Sequence, residues 1–248
     1  MMSDVERRVR PDKATLADAV AERFLAVVTE AVEKRGVAHV VLTGGSMGTA
    51  FLEALGRSPN EVPWASLHLW WGDERFLPEG DGERNVTQAR DALLDNLAVA
   101  PAGIHVMAAS DGAAAGDVAA GASAYAAELS EAFGDALVQG EVPAFDVVML
   151  GMGPDTHVAS LFPGHEQTRA HAVSVASVTN SPKPPPERIT MTFPTLNSAR
   201  EVWLMVAGED KRDAVRAASG SDDRVAHPAC GVHGQVATVW WLDEAAAG

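Results

Sequence analysis

Between Lys13 and Arg35, apolar side chains fall at Leu16, Ala19, Val20, Phe24, Val27, Val28, Ala31 and Val32, steps of three and four that share one face of a helix. Gly36 follows, where a helix-ending glycine belongs. The next apolar run is shorter and unbroken. HVVLTGG, His39 to Gly45, reads as a buried strand entering a glycine turn, and Ser46 to Leu55 as the helix after it. The alternation continues with strand and loop at Leu67 to Phe76, helix at Asn85 to Leu97, strand at Ile104 to Met107 and helix at Tyr125 to Leu137. Strands then follow at Phe145 to Gly153, Ala172 to Val178, Arg188 to Phe193, Glu201 to Gly208 and Thr238 to Leu242. Helices begin near Pro194 and run from Glu209 to Ser219.

This order predicts an α/β fold, a Rossmann-like open, largely parallel sheet with helices on both faces. Residues 1–12 are expected as a flexible N-terminus and 13–248 as a single α/β domain. Ala108 to Gly121, rich in Ala and Gly, reads as a surface connection within that domain, because strand and helix alternate on both sides of it.

Composition narrows the class. With 47% hydrophobic and 21% charged residues, neither wholesale disorder nor a fibrous repeat is indicated. No stretch approaches the ~18 uninterrupted apolar residues of a membrane helix. The first residues, MMSDVERRVRPDKATLADAV, carry charges where a signal peptide needs its apolar segment, so a soluble, cytoplasmic protein is expected. The lone Cys230 agrees with a reducing compartment and has no Cys partner for a zinc site. The excess of 34 acidic over 19 basic residues, −15 in all, repels nucleic acid and anionic membranes, and neither is expected as a partner. A phosphorylated substrate would need a local cluster of cations and backbone N–H groups to reverse that field.

Ligands of such sheets bind at the carboxyl ends of strands, where four glycine-containing loops lie. Thr43-Gly44-Gly45-Ser46 can hold phosphate on the N–H groups of the following helix, or can be a tight turn with Ser46 as N-cap. It lacks the lysine and spacing of a P-loop. In Gly72-Asp73-Glu74-Arg75, the arginine suits bidentate phosphate or an oxyanion, or forms a surface ion pair with the neighbouring carboxylates. Arg84, Lys183, Arg188 and Lys211, the last beside the loop at Gly208, are further candidate cations, and no more than half of these five are expected to carry function. In Gly151 to His157, Asp155 and His157 share one turn after a strand. The carboxylate is placed to fix the imidazole tautomer and the imidazole to take a proton from water, or the histidine is bonded for structural reasons only. No HExxH or His/Cys cluster surrounds it, so no metal is expected.

LTGGS, WWGDERFLP, ERNVTQA, LGMGPDTHVASLFPGH, SPKPPPERITMTFPTLN and VAGEDK, in this order over nearly the whole chain, resemble the 6-phosphogluconolactonase family. The resemblance implies hydrolysis of 6-phospho-D-glucono-1,5-lactone to 6-phosphogluconate in the oxidative pentose phosphate pathway, without a required cofactor. It also implies a fold shared with glucosamine-6-phosphate deaminases. On this chain it makes His157 the general base and Asp155 its orienting partner. Gly44, Gly45, Ser46 and Arg75, with some of Lys183, Arg188 and Lys211, would hold phosphate and oxyanion. The partner expected is therefore a small phosphorylated sugar lactone, the chain being a monomer or weak homo-oligomer.

Thr156 departs from the family, which usually has glycine between the aspartate and the histidine. Positive φ there would strain a β-branched residue by ~1–3 kcal/mol and could displace His157; negative φ would merely narrow the pocket. Three other readings compete. A glucosamine-6-phosphate deaminase or sugar-phosphate isomerase typically continues the loop as FNEPG, whereas here Leu161-Phe162-Pro163-Gly164 lacks the glutamate. A sugar-phosphate-sensing regulator needs a DNA-binding module, for which the residues before Lys13 are too few. A catalytically impaired sugar-phosphate-binding protein is what a damaging Thr156 would produce.

Overall fold

A computed structural model describes residues 5–134 and 144–248. Its first half runs β1 (Val5–Arg10), α1 (Lys13–Arg35), β2 (Ala38–Leu42), α2 (Gly45–Leu55), β3 (Leu67–Trp71), β4 (Asp73–Arg75), α3 (Asn85–Ala92), β5 (Gly103–Ile104) and α4 (Val118–Phe133). There follow β6 (Val147–Leu150), β7 (Val175–Val178), β8 (Arg188–Met191), α5 (Phe193–Leu196), β9 (Glu201–Val206), α6 (Arg212–Ser219), β10 (Ala237–Asp243) and α7 (Glu244–Ala247).

Helix α1 occupies the span its apolar spacing predicts. Asp12 caps its start by accepting the Thr15 N–H at 2.8 Å, and Gly36 ends it in the left-handed conformation, φ 78°. The main sheet has seven strands in the order β1-β10-β9-β6-β2-β3-β5, with every pairing parallel. Both faces are covered, so its central strands are largely apolar, and all of β9 is buried, Glu201 included. Val202, Leu204 and Val206 of β9 join the core under α4 and α6, while Trp203 and Met205 join the core under α1, α2 and α3. The strand ends that carry the glycine loops thus emerge between the two helical layers. Among the described residues no helix is long and apolar enough to cross a membrane.

Several elements differ from the sequence expectation. Within the stretch expected to be a flexible N-terminus, Val5–Arg10 is a sheet-edge strand in parallel register with β10. Its arginines lie over that strand's tryptophans, Arg7 at 5.7 Å from the Trp240 ring centre, Arg8 at 4.9 Å and Arg10 at 5.9 Å from Trp241. Ala172 to Val178 and Arg188 to Phe193 contribute no strand to the parallel sheet; β7 and β8 pair antiparallel with each other and with β4 in a separate three-stranded sheet. Helix α4 starts earlier than Tyr125, at Val118, because Asp117 accepts the N–H groups of Ala119 and Ala120; the expected positions 135–137 lie outside the described residues. The strand expected from Ile104 to Met107 shrinks to Gly103–Ile104.

Candidate active site

β6 ends at Leu150 and the chain turns back on itself within seven residues. The Gly153 N–H donates to the His157 carbonyl at 2.9 Å, and the Thr156 N–H to the Gly153 carbonyl at 2.9 Å. Glycine is required at 153, since a Cβ there would lie 2.0 Å from His157 Nδ1 and 2.4 Å from Asp155 Oδ1. In the space so left, His157 Nδ1 and Asp155 Oδ1 meet at 2.5 Å. An ionised carboxylate only accepts, so Nδ1 carries the hydrogen and Nε2 is the basic nitrogen. Phe162 backs the imidazole, ring centres 4.7 Å apart. Burial works against ionisation of Asp155, but the hydrogen bond and charge of His157 and the Lys183 ammonium hold its carboxyl well below the usual carboxylate range. Lys183 Nζ lies 3.3 Å from Asp155 Oδ1 and 3.2 Å from His157 Nδ1.

Thr156, between the pair, has φ 71° and is 3% exposed. The strained alternative is therefore the one realised, at a cost of about 1–3 kcal/mol. Its feared consequence is absent: His157 is not displaced from Asp155.

His157 opens into a cavity of about 330 Å³ that is also lined by Gly44, Gly45, Ser46, Arg75, Lys183, Arg188 and Lys211. Of the site residues expected from sequence, Asp155 and Arg84 do not line it; Asp155 is bonded to His157 Nδ1, as an orienting group would be. At α2 the N-cap is Gly44, not Ser46, and it has no side chain to cap the helix; the Gly45 N–H makes one long bond to Gln88 Oε1 at 3.4 Å, at a helix start suited to an anion. Gly44 also allows close approach: a Cβ there would meet Asn85 Oδ1 at 1.9 Å.

Arg75 donates from Nη1 to the Glu83 carbonyl at 2.5 Å, and among the described residues it makes no ion pair with Asp73 or Glu74. Glu74 is 1% exposed and accepts the N–H groups of Asn85, Val86 and Arg75 at 2.7, 3.0 and 2.8 Å, anchoring the start of α3. Burial pushes its carboxyl up, while these donors and Arg84 oppose the shift. Arg84 lies outside the cavity, 3.7 Å from Glu74 and donating to the Met107 carbonyl at 2.6 Å. Arg188 donates to the carbonyls of Lys183, Pro184 and Pro185, which frames the loop that presents Lys183. Lys211 lines the cavity with its Nζ 3.3 Å from Asp210. Four of the five candidate cations thus face one space.

Sequence reasoning gave no site role to the side chains of Thr43, Asp73 and Asn85, which also line it. Asp73 follows a strand-end glycine, a signal that read only as an ion-pair partner. In the fold its Oδ2 accepts from Ser160 Oγ at 2.7 Å, and Asn85 Nδ2 donates to its carbonyl at 2.7 Å. A larger groove, about 730 Å³, runs between α4 and β7, but only Glu166 among its lining residues is charged, so it offers an anion no counter-charge. Among the described residues no group of three or more His, Cys, Asp and Glu is placed to share a metal ion.

The family described as glucosamine-6-phosphate isomerases/6-phosphogluconolactonase matches residues 11–241. A 6-phosphogluconolactonase of Streptomyces coelicolor is 51% identical over 99% of this chain and 95% of its own length. One of Mycobacterium tuberculosis is 45% identical over 100% and 98%. A crystal structure of a 6-phosphogluconolactonase from Shewanella baltica superposes with a TM-score of 0.81 at 26% identity, covering 98% of this chain and 99% of that one. The chain belongs to the glucosamine-6-phosphate isomerase/6-phosphogluconolactonase family, and within it is similar over its full length to the 6-phosphogluconolactonases.

Proposed function

We propose that this chain hydrolyses 6-phospho-D-glucono-1,5-lactone to 6-phospho-D-gluconate, the lactonase step of the oxidative pentose phosphate pathway, with His157 as general base. The observation that carries the reading is the 2.5 Å Asp155–His157 pair opening into a cavity lined by Arg75, Lys183, Arg188 and Lys211. His157 Nε2 takes a proton from water as the water oxygen attacks the lactone carbonyl. Asp155, ionised, stabilises the imidazolium that forms. The tetrahedral intermediate then collapses, the bond to the ring oxygen breaks, and the imidazolium returns its proton to that oxygen. The α2 N-terminus at Gly44, Gly45 and Ser46 is a cradle for the phosphate, and Arg75 supplies a guanidinium for phosphate or oxyanion. Lys183 sits against Asp155 and favours its charged form, while Arg188 and Lys211 complete the positive lining.

Leu161 and Phe162, fully buried, stand where a deaminase would carry a carboxylate, which favours lactone hydrolysis over deamination. We further infer a single-domain, cytoplasmic enzyme that works without a cofactor as a monomer or weak homo-oligomer; the lone Cys230 and the acidic surface support that setting. The test follows hydrolysis of the lactone beside its spontaneous rate, and ammonia release from glucosamine 6-phosphate in parallel. Acceleration of the first alone is expected. Ammonia release, or a lactone rate no higher than the spontaneous one, overturns the assignment.

A further inference from the structure

The left-handed backbone at Thr156 decides where the side chains on either side of it point, because Asp155 and His157 meet across that residue. Glycine would adopt this conformation freely; threonine must be held in it. The hold comes from the segment after α6. The Ala229 N–H donates to the Thr156 carbonyl at 3.0 Å, and Thr156 Oγ1 and His227 Nδ1 share a long hydrogen bond of 3.4 Å. On the far side of the catalytic turn, the Gly164 N–H donates to the Val225 carbonyl at 2.8 Å. This segment is itself tightly tied. Asp223 accepts the N–H groups of Val225 and Ala226 on Oδ1 at 2.9 and 3.2 Å and that of His227 on its carbonyl at 2.8 Å, while the Arg224 guanidinium lies 5.1 Å from the Phe193 ring centre. His227 does not line the cavity.

We propose that His227 is a positioning residue that acts through Thr156, holding it left-handed so that His157 keeps its bond to Asp155 and its aim into the cavity. The proposal rests on His157 being the base. Released from His227, Thr156 relaxes toward negative φ, the backbone from Asp155 to His157 rotates, and the pair opens. With glycine at 156 the conformation needs no holding, and His227 loses its influence on the rate.

Steady-state kinetics with 6-phospho-D-glucono-1,5-lactone on wild type, His227→Ala, Thr156→Gly and the double variant tests this. His227→Ala is expected to lower kcat about 3- to 10-fold, the scale of one hydrogen bond, at unchanged KM. In the Thr156→Gly background the same change should alter kcat less than about twofold, because the coupled contribution is gone. Thr156→Val, which keeps the shape and loses the hydroxyl, should reproduce the His227→Ala loss, and Thr156→Ser should retain the dependence on His227. Thr156→Val also decides the matter if His227→Ala fails to fold. Equal losses in both backgrounds, a loss confined to KM, or a Thr156→Val enzyme with wild-type kcat overturns the proposal. His157→Ala separates the two levels: full kcat there removes the base assignment itself, whereas its loss alongside additive pair data removes only the positioning role.

Discussion

Gly153→Ala places one methyl group against the Asp155–His157 pair. The added Cβ would lie 2.0 Å from His157 Nδ1, 2.1 Å from His157 Cε1 and 2.4 Å from Asp155 Oδ1, all well inside van der Waals contact. Phe162 packs on the imidazole with ring centres 4.7 Å apart, and moving either partner breaks the 2.5 Å bond between His157 and Asp155. The variant therefore loses the contribution of an oriented base, about 10²–10⁴-fold in kcat. Overpacking of this kind costs about 1–3 kcal/mol of stability, less than the ~5–15 kcal/mol of a typical domain, so the protein stays folded. Lactone hydrolysis corrected for the spontaneous rate gives kcat, and urea unfolding with near-ultraviolet circular dichroism shows whether the fold survives. A folded Gly153→Ala enzyme within about threefold of wild-type kcat would refute the reasoning, because an oriented base contributes far more than that.

Gly44→Ala puts a Cβ 1.9 Å from Asn85 Oδ1, whose amide is bound to the Asp73 carbonyl. We expect kcat/KM to fall about tenfold or more as the phosphate cradle shifts, and an unchanged KM would count against that role. Removing the stacked guanidinium in Arg8→Ala should cost about 0.5–1 kcal/mol in denaturant unfolding, and no loss would mean that β1 is not held by Trp241. Stability should also fall on mild acidification. His39 stacks on His68 at 4.7 Å, accepts the Trp70 indole N–H at 3.3 Å, and has Arg35, Asp146, His105 and Glu128 around its cluster. Burial, then the charges of His68, His105 and Arg35, push it down to about 4. The unfolded chain therefore binds this proton more readily, so the contribution is full above the ordinary histidine value of about 6.5 and is lost as pH falls from there toward 4. Melting temperatures from pH 7 to pH 4.5 should drop less in His39→Gln than in wild type, and parallel curves would exclude His39 as the cause.

What the chain reveals by inspection follows from how local each cause is. The apolar spacing and Gly36 fix α1, because a helix buries a stripe set by its own residues. VERRVR hides β1, since what holds it is a pair of tryptophans more than two hundred residues away and a backbone ladder that has no sequence pattern. The β7 and β8 segments read as strands, but a strand's period does not name its partner, so their separation into an antiparallel sheet was invisible. The site was more legible than the sheet. Glycines at strand ends marked three of its walls, and the Asp-x-His spacing marked the pair. Asp73 and Asn85 escaped notice because their place in the cavity depends on Ser160 and on the packing of α2 against α3. Thr156 could be flagged from sequence, but only the fold supplies its φ and the backbone and side-chain bonds that hold it.

The central claim is that His157 activates the water that opens the lactone. Its most direct test is the rate of 6-phospho-D-glucono-1,5-lactone hydrolysis by His157→Ala, with wild type and the uncatalysed reaction measured alongside. The account predicts a wild-type rate well above the spontaneous one and a kcat lowered about 10²–10⁴-fold in the folded variant. A His157→Ala enzyme that hydrolyses the lactone at the wild-type rate would contradict it.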